Sequence, residues 1–256
     1  MSAGPSLIPA VETMEGDKVM VKRLFPVAGL RNHDPFVLWD HFEVAASSGF
    51  PPHPHRGFEA ITYLFSGYMS HEDDLGNSST IGPGGAQRFT AGKGIVHSEM
   101  PGGEESARGI QLWINLPKRL KHINPDYQEA SATEITSEEV QDDNGRKLII
   151  RNIVGESGPI QLQTQVVYYE LTMEAGSSYQ WTPPKEYNGL IYVADGTATI
   201  NDIPANSGDA LFFEKNSEHD LSTEDLILSC IADCKLMVCF GKPHGEPIFQ
   251  HGTYVD

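Results

Sequence analysis

Alternating apolar and polar side chains mark the middle of the chain and predict β-strands. In RGIQLWINL (108–116) one face carries Ile110, Leu112, Ile114 and Leu116, and the other carries Gln111, Trp113 and Asn115. Successive strand side chains point to opposite faces, so a repeat of two indicates a strand and not a helix. If the second face turns inward, the Gln111 amide lies near the domain interior.

Other strand-like runs are apolar on both faces. FEAITYLFS (58–66) is of this kind and predicts a strand buried between two layers. Similar runs follow residue 147, separated by glycine turns: LIIRNIVG, VVYYELTM, GLIYVADGTATIN, DALFFEKN and LILSCIADC. Short strands at this spacing are typical of a β-sandwich or jelly roll. The chain is therefore predicted to be all-β.

A polar, turn-rich stretch, residues 117–145, separates the two strand-rich parts and predicts a connection with short strands. We expect two jelly-roll domains packed together, residues 1–130 and residues 131–256. Residues 1–17 carry Pro, Ser and Gly and are predicted to be a loose arm. The tail from residue 241, which prolines and glycines interrupt, is predicted to pack against the first domain.

Two histidine clusters stand out against this background, HPH at 53–55 and HSE at 97–99. Residues two apart share a strand face, so His53 and His55 form one pair and His97 and Glu99 another. Three imidazoles and a carboxylate suit iron, manganese, nickel, copper or zinc. Glu59 shares the face of the first pair, so the spacing alone allows either carboxylate as the fourth ligand.

The sequence around these clusters allows two further structural predictions. Pro52 and Pro54 lack N–H donors, so the HPH segment should be an edge strand, a bulge or poorly paired. HEDDLGNSST (71–80) reads as a hairpin tip in which Asp73 and Asp74 form a solvated acidic turn. The spacing and closing glutamate of a calcium loop are missing there.

The clusters resemble known motifs. HPHRGFE with Gly67 resembles the first cupin motif, and GKGIVH resembles the second, with Gly92 where proline is common. Together with GKGIVHSEMP, NHDPFVLWDHF and GIQLWINLP, they resemble the pirin family of cupins over about residues 20–130. The later half matches more loosely.

The resemblance implies a bicupin with one metal, held by His53, His55, His97 and Glu99. Glu59 then lies behind the ligands, where it would orient a histidine. Iron(II) is the first expectation, with manganese, nickel, copper, cobalt or zinc as alternatives. Some pirins are quercetin 2,3-dioxygenases, which implies a flavonol and O2 as substrates and carbon monoxide as a product. Glu99 or Glu59 would then be the catalytic base.

Other pirins bind transcription regulators, so a second function stays open. In that alternative the chain is a non-enzymatic, iron-binding co-regulator whose docking surface responds to the oxidation state of the metal. The acidic chain would then dock onto a basic regulatory protein.

The second half repeats the rhythm of the first without its ligands. Gly196 corresponds to Gly67 and His219 to His97. The remaining ligand positions fall on other residues: Thr182, Pro184, Asn188 and Leu221. We therefore expect a structural second domain without a metal, as the resemblance also implies.

Charge and cysteine content limit the binding partners and the cellular location that we expect for this protein. With 35 acidic and 18 basic residues, the formal charge is −17. Such a surface repels phosphates, which argues against direct binding of nucleic acid or anionic lipid. Cys230, Cys234 and Cys239 lie in an apolar run and predict reduced core cysteines. With no signal peptide or membrane span in the sequence, we expect a cytoplasmic or nuclear monomer.

Overall fold

The structure is a computed structural model that describes residues 6–214 and 225–256. Strands make up nearly all of its regular structure, which confirms the all-β prediction. The first twelve strands are β1 (Ser6–Pro9), β2 (Val11–Glu15), β3 (Val19–Phe25), β4 (Phe36–Val44), β5 (Phe50–His55), β6 (Phe58–Ser66), β7 (Met69–Asp73), β8 (Ser78–Ile81), β9 (Ala86–Thr90), β10 (Ile95–Pro101), β11 (Ala107–Asn115) and β12 (Asp126–Ala130). A short 3-10 turn, Lys118–Leu120, precedes β12.

The remaining strands are β13 (Thr136–Gln141), β14 (Lys147–Val154), β15 (Val166–Met173), β16 (Ser178–Trp181), β17 (Asn188–Asp195), β18 (Thr197–Ile200), β19 (Ile203–Asn206), β20 (Asp209–Phe213), β21 (Leu226–Cys230), β22 (Cys234–Gly241), β23 (Gln250–His251) and β24 (Tyr254–Val255). Within the described residues, no helix is both long and apolar enough to cross a bilayer.

Contacts divide the chain into two compact units. The N-terminal unit contains residues 11–135, 160–164 and 244–256. Of the described residues, the C-terminal unit contains 6–10, 136–159, 165–214 and 225–243. The chain passes between them at 135–136, five residues beyond the predicted division, and each unit takes in short segments from the other end of the chain. The tail from residue 244 belongs to the N-terminal unit, which confirms its predicted packing.

The N-terminal unit has a seven-stranded sheet, β12-β9-β6-β11-β4-β3-β2, and a four-stranded sheet, β5-β10-β7-β8. The tail adds the hairpin β23-β24. The predicted strand in 108–116 is β11, at the middle of the larger sheet between β6 and β4. Buried aromatic side chains of this unit include Phe58, Phe89 and Trp113.

The C-terminal unit has the same plan. Its seven-stranded sheet runs β1-β20-β17-β22-β15-β14-β13 and its four-stranded sheet runs β16-β21-β18-β19. An aliphatic core that includes Leu171, Ile191 and Leu236 holds it together. Cys230, Cys234 and Cys239 are buried here, as predicted. His219 and Leu221 lie outside the described residues.

The prediction of a loose N-terminal arm is wrong from residue 6 onward. Ser6 pairs with Phe212 and Pro9 with Asp209, so β1 is an outer strand of the C-terminal sheet. Next, β2 forms a hairpin with β3 in the N-terminal unit. Local composition suggested a loose segment, but partners far along the chain satisfy its backbone groups.

Candidate metal centre

The two histidine clusters lie on neighbouring antiparallel strands of the four-stranded sheet. In the pairing of β10 with β5, His97 lies opposite His53 and Ile95 opposite His55. The register shifts between His97 and Glu99, which re-aims the glutamate relative to the histidine. β5 is the outermost strand of this sheet, so the edge position predicted from its prolines is confirmed.

The pairing gathers the imidazoles of His53, His55 and His97 around one point. One ring nitrogen from each lies within 4.8 Å of the others, an arrangement that could hold a metal ion. The ring centroids are 4.5 Å apart for His53 and His55, and 4.6 Å apart for His53 and His97. The sequence-predicted triad therefore meets in space.

Contacts at the Nδ1 atoms show which nitrogens remain for a metal. His53 Nδ1 lies 2.8 Å from the Pro51 carbonyl oxygen, and His55 Nδ1 lies 3.3 Å from that of Thr253. A carbonyl only accepts, so both Nδ1 atoms carry a proton, which in a neutral imidazole leaves the lone pair on Nε2. His97 Nε2 is buried and has no hydrogen-bond partner among the described residues.

Electrostatics keep two of these histidines neutral. Burial, together with the neighbouring His97 and His53, lowers the pKa of His55 to about 3. Burial, followed by the proximity of His53, also holds the pKa of His97 well below 6.5. A metal ligand must be a neutral imidazole, so these rings do not have to lose a proton when a metal binds. An orphaned buried nitrogen and a neutral donor set both fit a divalent transition metal.

Glu99 is buried beside the triad and is held by three side chains. Its Oε1 accepts hydrogen bonds from Thr62 Oγ1 at 2.7 Å and Gln87 Nε2 at 2.6 Å. Its Oε2 accepts one from Gln111 Nε2 at 2.8 Å. Carboxylate oxygens can accept more than one bond, and Oε2 has the greater spare capacity.

Glu59 lies on β6, in the other sheet, and is fully buried. Its Oε1 accepts from Thr90 Oγ1 and its Oε2 from the backbone N–H of Gln163, each at 2.8 Å. Burial raises the pKa of this carboxyl. Its oxygens therefore hold the segment 160–164 onto the N-terminal unit.

A cavity of about 640 Å³ opens next to the triad within the N-terminal unit. The residues lining it include His53, His55, Glu99, Gln111, Trp113 and Phe50. Gln250, Gly252 and Thr253 of the tail line it as well. Gln111 lines it too, so the face of β11 that carries Gln111 is the one that turns inward. The volume falls within the range of about 300–1,000 Å³ typical of small-molecule sites.

The structure also places side chains here that the sequence did not single out. His71 is fully buried, with its Nδ1 3.4 Å from His97 Nδ1. Asp73 bonds to His71 and its side chain is fully inaccessible, so the prediction of a solvated turn is wrong for Asp73. His71 and Asp73 lie two apart in β7, and that spacing was the available signal.

Comparisons with known proteins agree with this fold. The Pirin family model matches residues 18–114, and the model for the Pirin C-terminal cupin domain matches residues 168–256. Human Pirin is 34% identical over 248 residues, covering 95% of this chain and 84% of the relative. A Pirin-like protein of tomato, Solanum lycopersicum, is 34% identical over 247 residues, covering 94% of this chain and 82% of the relative.

Solved structures give the same result. A quercetin 2,3-dioxygenase from Acinetobacter baumannii has a TM-score of 0.85 and 26% identity, covering 99% of this chain and 92% of the other. A bacterial pirin from Escherichia coli, YhhW, solved in complex with nickel(II), has a TM-score of 0.73 and 20% identity, covering 94% and 99%. Because the identity to YhhW is only 20%, this similarity shows the fold alone.

Proposed function

Because this chain belongs to the pirin family, we propose that it is a metal-dependent dioxygenase that opens the central ring of flavonols such as quercetin. Overall, one flavonol and one O2 give one ring-opened ester and one carbon monoxide. The observation that carries the proposal is the histidine triad beside a cavity of about 640 Å³. The likeness to a quercetin 2,3-dioxygenase supports it.

The metal would be held by His53, His55, His97 and Glu99. The donor set fits iron(II) first, and manganese, nickel, copper, cobalt or zinc as alternatives. Once bound, the ion would supply Lewis acidity toward a flavonol hydroxyl and a route for electron density to reach O2. Every other task belongs to side chains of this chain.

Glu99 is the better placed of the two candidate bases. It lines the cavity, whereas the oxygens of Glu59 bond to Thr90 and Gln163. Thr62, Gln87 and Gln111 fix the orientation of the Glu99 carboxylate, and Oε2 carries only one of these bonds. In the proposed reaction, Glu99 takes the proton of the flavonol 3-hydroxyl.

The cavity walls suit a flat, polyphenolic ligand. Phe50, Leu38 and Trp113 supply apolar surface, and the Arg23–Asp40 pair and Gln111 supply polar groups. Aromatic and aliphatic walls with a few polar groups are the usual composition of a small-molecule site. These walls would exclude water and orient the ring that is opened.

The test compares quercetin loss by chelated protein and by protein reconstituted with iron(II), both in air, with carbon monoxide measured in the headspace. We expect loss and carbon monoxide to require the metal and O2, at a rate well above that of free iron(II). No turnover at confirmed metal occupancy would reject flavonol dioxygenation. A search for a bound regulatory protein would then test the alternative.

The ligand assignment is tested with His97→Ala. Removing one of four ligands should reduce metal content and activity together. His122→Ala, at an exposed position in the same unit, is the matched control and should change neither. Full metal retention by His97→Ala would contradict the assignment.

A further inference from the structure

His71 and Asp73 form a buried contact behind the candidate ligand His97. His71 Nδ1 lies 3.4 Å from His97 Nδ1, and His71 Nε2 lies 3.0 Å from Asp73 Oδ2. Both His71 and Asp73 have fully inaccessible side chains. The His71 ring also stacks on Tyr127, with centroids 4.3 Å apart. Packing therefore holds the ring in place.

The hydrogen-bond donors and acceptors can be assigned in order from Asp73 through His71 to His97. An Asp73 carboxylate only accepts, so His71 Nε2 carries a proton. We take His71 as a neutral imidazole, which has one N–H, so its Nδ1 is an acceptor. His97 Nδ1 must then carry the proton that joins the two rings. The remaining nitrogen, His97 Nε2, keeps its lone pair, and it is the buried atom without a partner among the described residues.

We infer that His71 and Asp73 are positioning residues that fix the tautomer of His97 so that its Nε2 serves as a metal ligand. The inference rests on the metal site of the proposed function. It adds two residues that do not touch the metal or the substrate. Substitution of residues that hydrogen-bond to a metal ligand typically lowers the metal affinity by about 10–100-fold.

Asp73→Asn gives a sharp test because the second oxygen of Asp73 has a different task. Oδ1 accepts hydrogen bonds from the backbone N–H groups of Leu75 and Asn77, each at 3.0 Å. The Asn77 Nδ2 amide also donates to both oxygens, at 3.1 Å to Oδ1 and 2.9 Å to Oδ2. In the variant the two backbone donors keep the amide oxygen, so the amide nitrogen faces His71 Nε2 and the Asn77 side chain. His71 then carries its proton on Nδ1, and His97 is forced to carry its own on Nε2. The nitrogen needed for the metal is lost.

The first measurement is the tautomer itself, from imidazole ¹⁵N shifts of chelated protein labelled at histidine. We expect His97 to be protonated at Nδ1 in the parent protein and at Nε2 in Asp73→Asn. The second is the affinity for cobalt(II), measured in competition with a chelator, which should fall about 10–100-fold. Asp74→Asn is the matched control. It replaces the next aspartate, an exposed side chain that accepts a hydrogen bond from the Val96 N–H, and it should change neither the His97 tautomer nor the cobalt(II) affinity.

Two substitutions of His71 complete the test. Asparagine can present an acceptor near the position of Nδ1, so His71→Asn should retain more cobalt(II) affinity than His71→Leu, which has no acceptor. Parent-like affinity and an unchanged His97 tautomer in Asp73→Asn would overturn the inference. Neither measurement involves quercetin, so a failure of the flavonol proposal would be seen separately. If the protein bound no metal at all, the tautomer assignment would still be decided by the ¹⁵N shifts.

Discussion

Acid should destabilise the metal-free protein in a way that depends on His55. Burial lowers the pKa of this imidazole to about 3, whereas in an unfolded chain it returns to about 6.5. Between these values the unfolded chain holds a proton that the folded chain does not. The contribution of His55 is therefore fully present above pH 6.5 and is lost as pH falls toward 3. His97 acts in the same direction.

The magnitude follows from proton linkage. One proton taken up on unfolding changes the free energy of unfolding by about 1.4 kcal/mol for each unit of pH. From pH 6.5 to pH 4.5 the His55 contribution comes to about 2 kcal/mol, because uptake is only half complete at the upper limit. The whole difference between pKa 6.5 and pKa 3 corresponds to about 5 kcal/mol, a loss that is complete only below pH 3.

The assay is guanidinium unfolding of chelated protein at several pH values. Trp39 and Trp113 report on the N-terminal unit, and Trp181→Phe removes the signal of the other unit. His55→Asn is the test variant, because an asparagine N–H can still donate to the Thr253 carbonyl. The exposed His122→Asn is its control.

The stability advantage of the parent protein over His55→Asn should shrink by about 2 kcal/mol between pH 6.5 and pH 4.5. His122→Asn should follow the parent at every pH. An advantage over His55→Asn that does not change with pH would refute the reasoning. It would mean that His55 titrates alike in the folded and unfolded chain.

Two other substitutions test the surroundings of the site, and a third tests the second domain. Gly57→Ala would place a Cβ 1.8 Å from the Val255 carbonyl oxygen at a φ of +86°. Thermal unfolding should therefore show a loss of stability of at least about 1–2 kcal/mol, and metal analysis should show a lower occupancy. Gln87→Met removes a 2.6 Å hydrogen bond to Glu99, which should cost about 1.5–3 kcal/mol and weaken cobalt(II) binding; unchanged binding would show that this bond does not orient the carboxylate. His219→Ala should leave metal content unchanged, and loss of a second metal would overturn the expectation of a metal-free second domain.

The features that the sequence predicted correctly are local. Period-two alternation marks β11, and glycine turns mark the repeated strands of the C-terminal unit, because both signals are carried by neighbouring residues. The exchange of chain ends between the units was not predictable in this way. Ser6 pairs with Phe212, and backbone pairing across that separation leaves no pattern in either segment alone.

In the candidate site, too, the sequence predicted some features correctly and left others undecided. Strand parity was enough to predict that His53, His55 and His97 converge, yet it left Glu59 and Glu99 equivalent. The structure distinguishes their surroundings, since Glu59 belongs to the seven-stranded sheet and Glu99 to the four-stranded sheet. Parity also applies to His71 and Asp73, but a turn-like composition hid that pair.

The edge position of β5 explains why the C-terminal tail takes part in the site. β5 has β10 on one side, and its prolines remove N–H donors that a regular neighbour on the other side would use. The tail stands near that open side, where Arg56 forms a parallel bridge with Tyr254 and the Val255 N–H donates to the Arg56 carbonyl at 3.0 Å. From there the Thr253 carbonyl reaches His55 Nδ1, 198 residues away in sequence. The strand that carries two candidate ligands is thus completed by residues 253–255. Changes in this segment should therefore affect the candidate metal centre before they affect the rest of the N-terminal sheet.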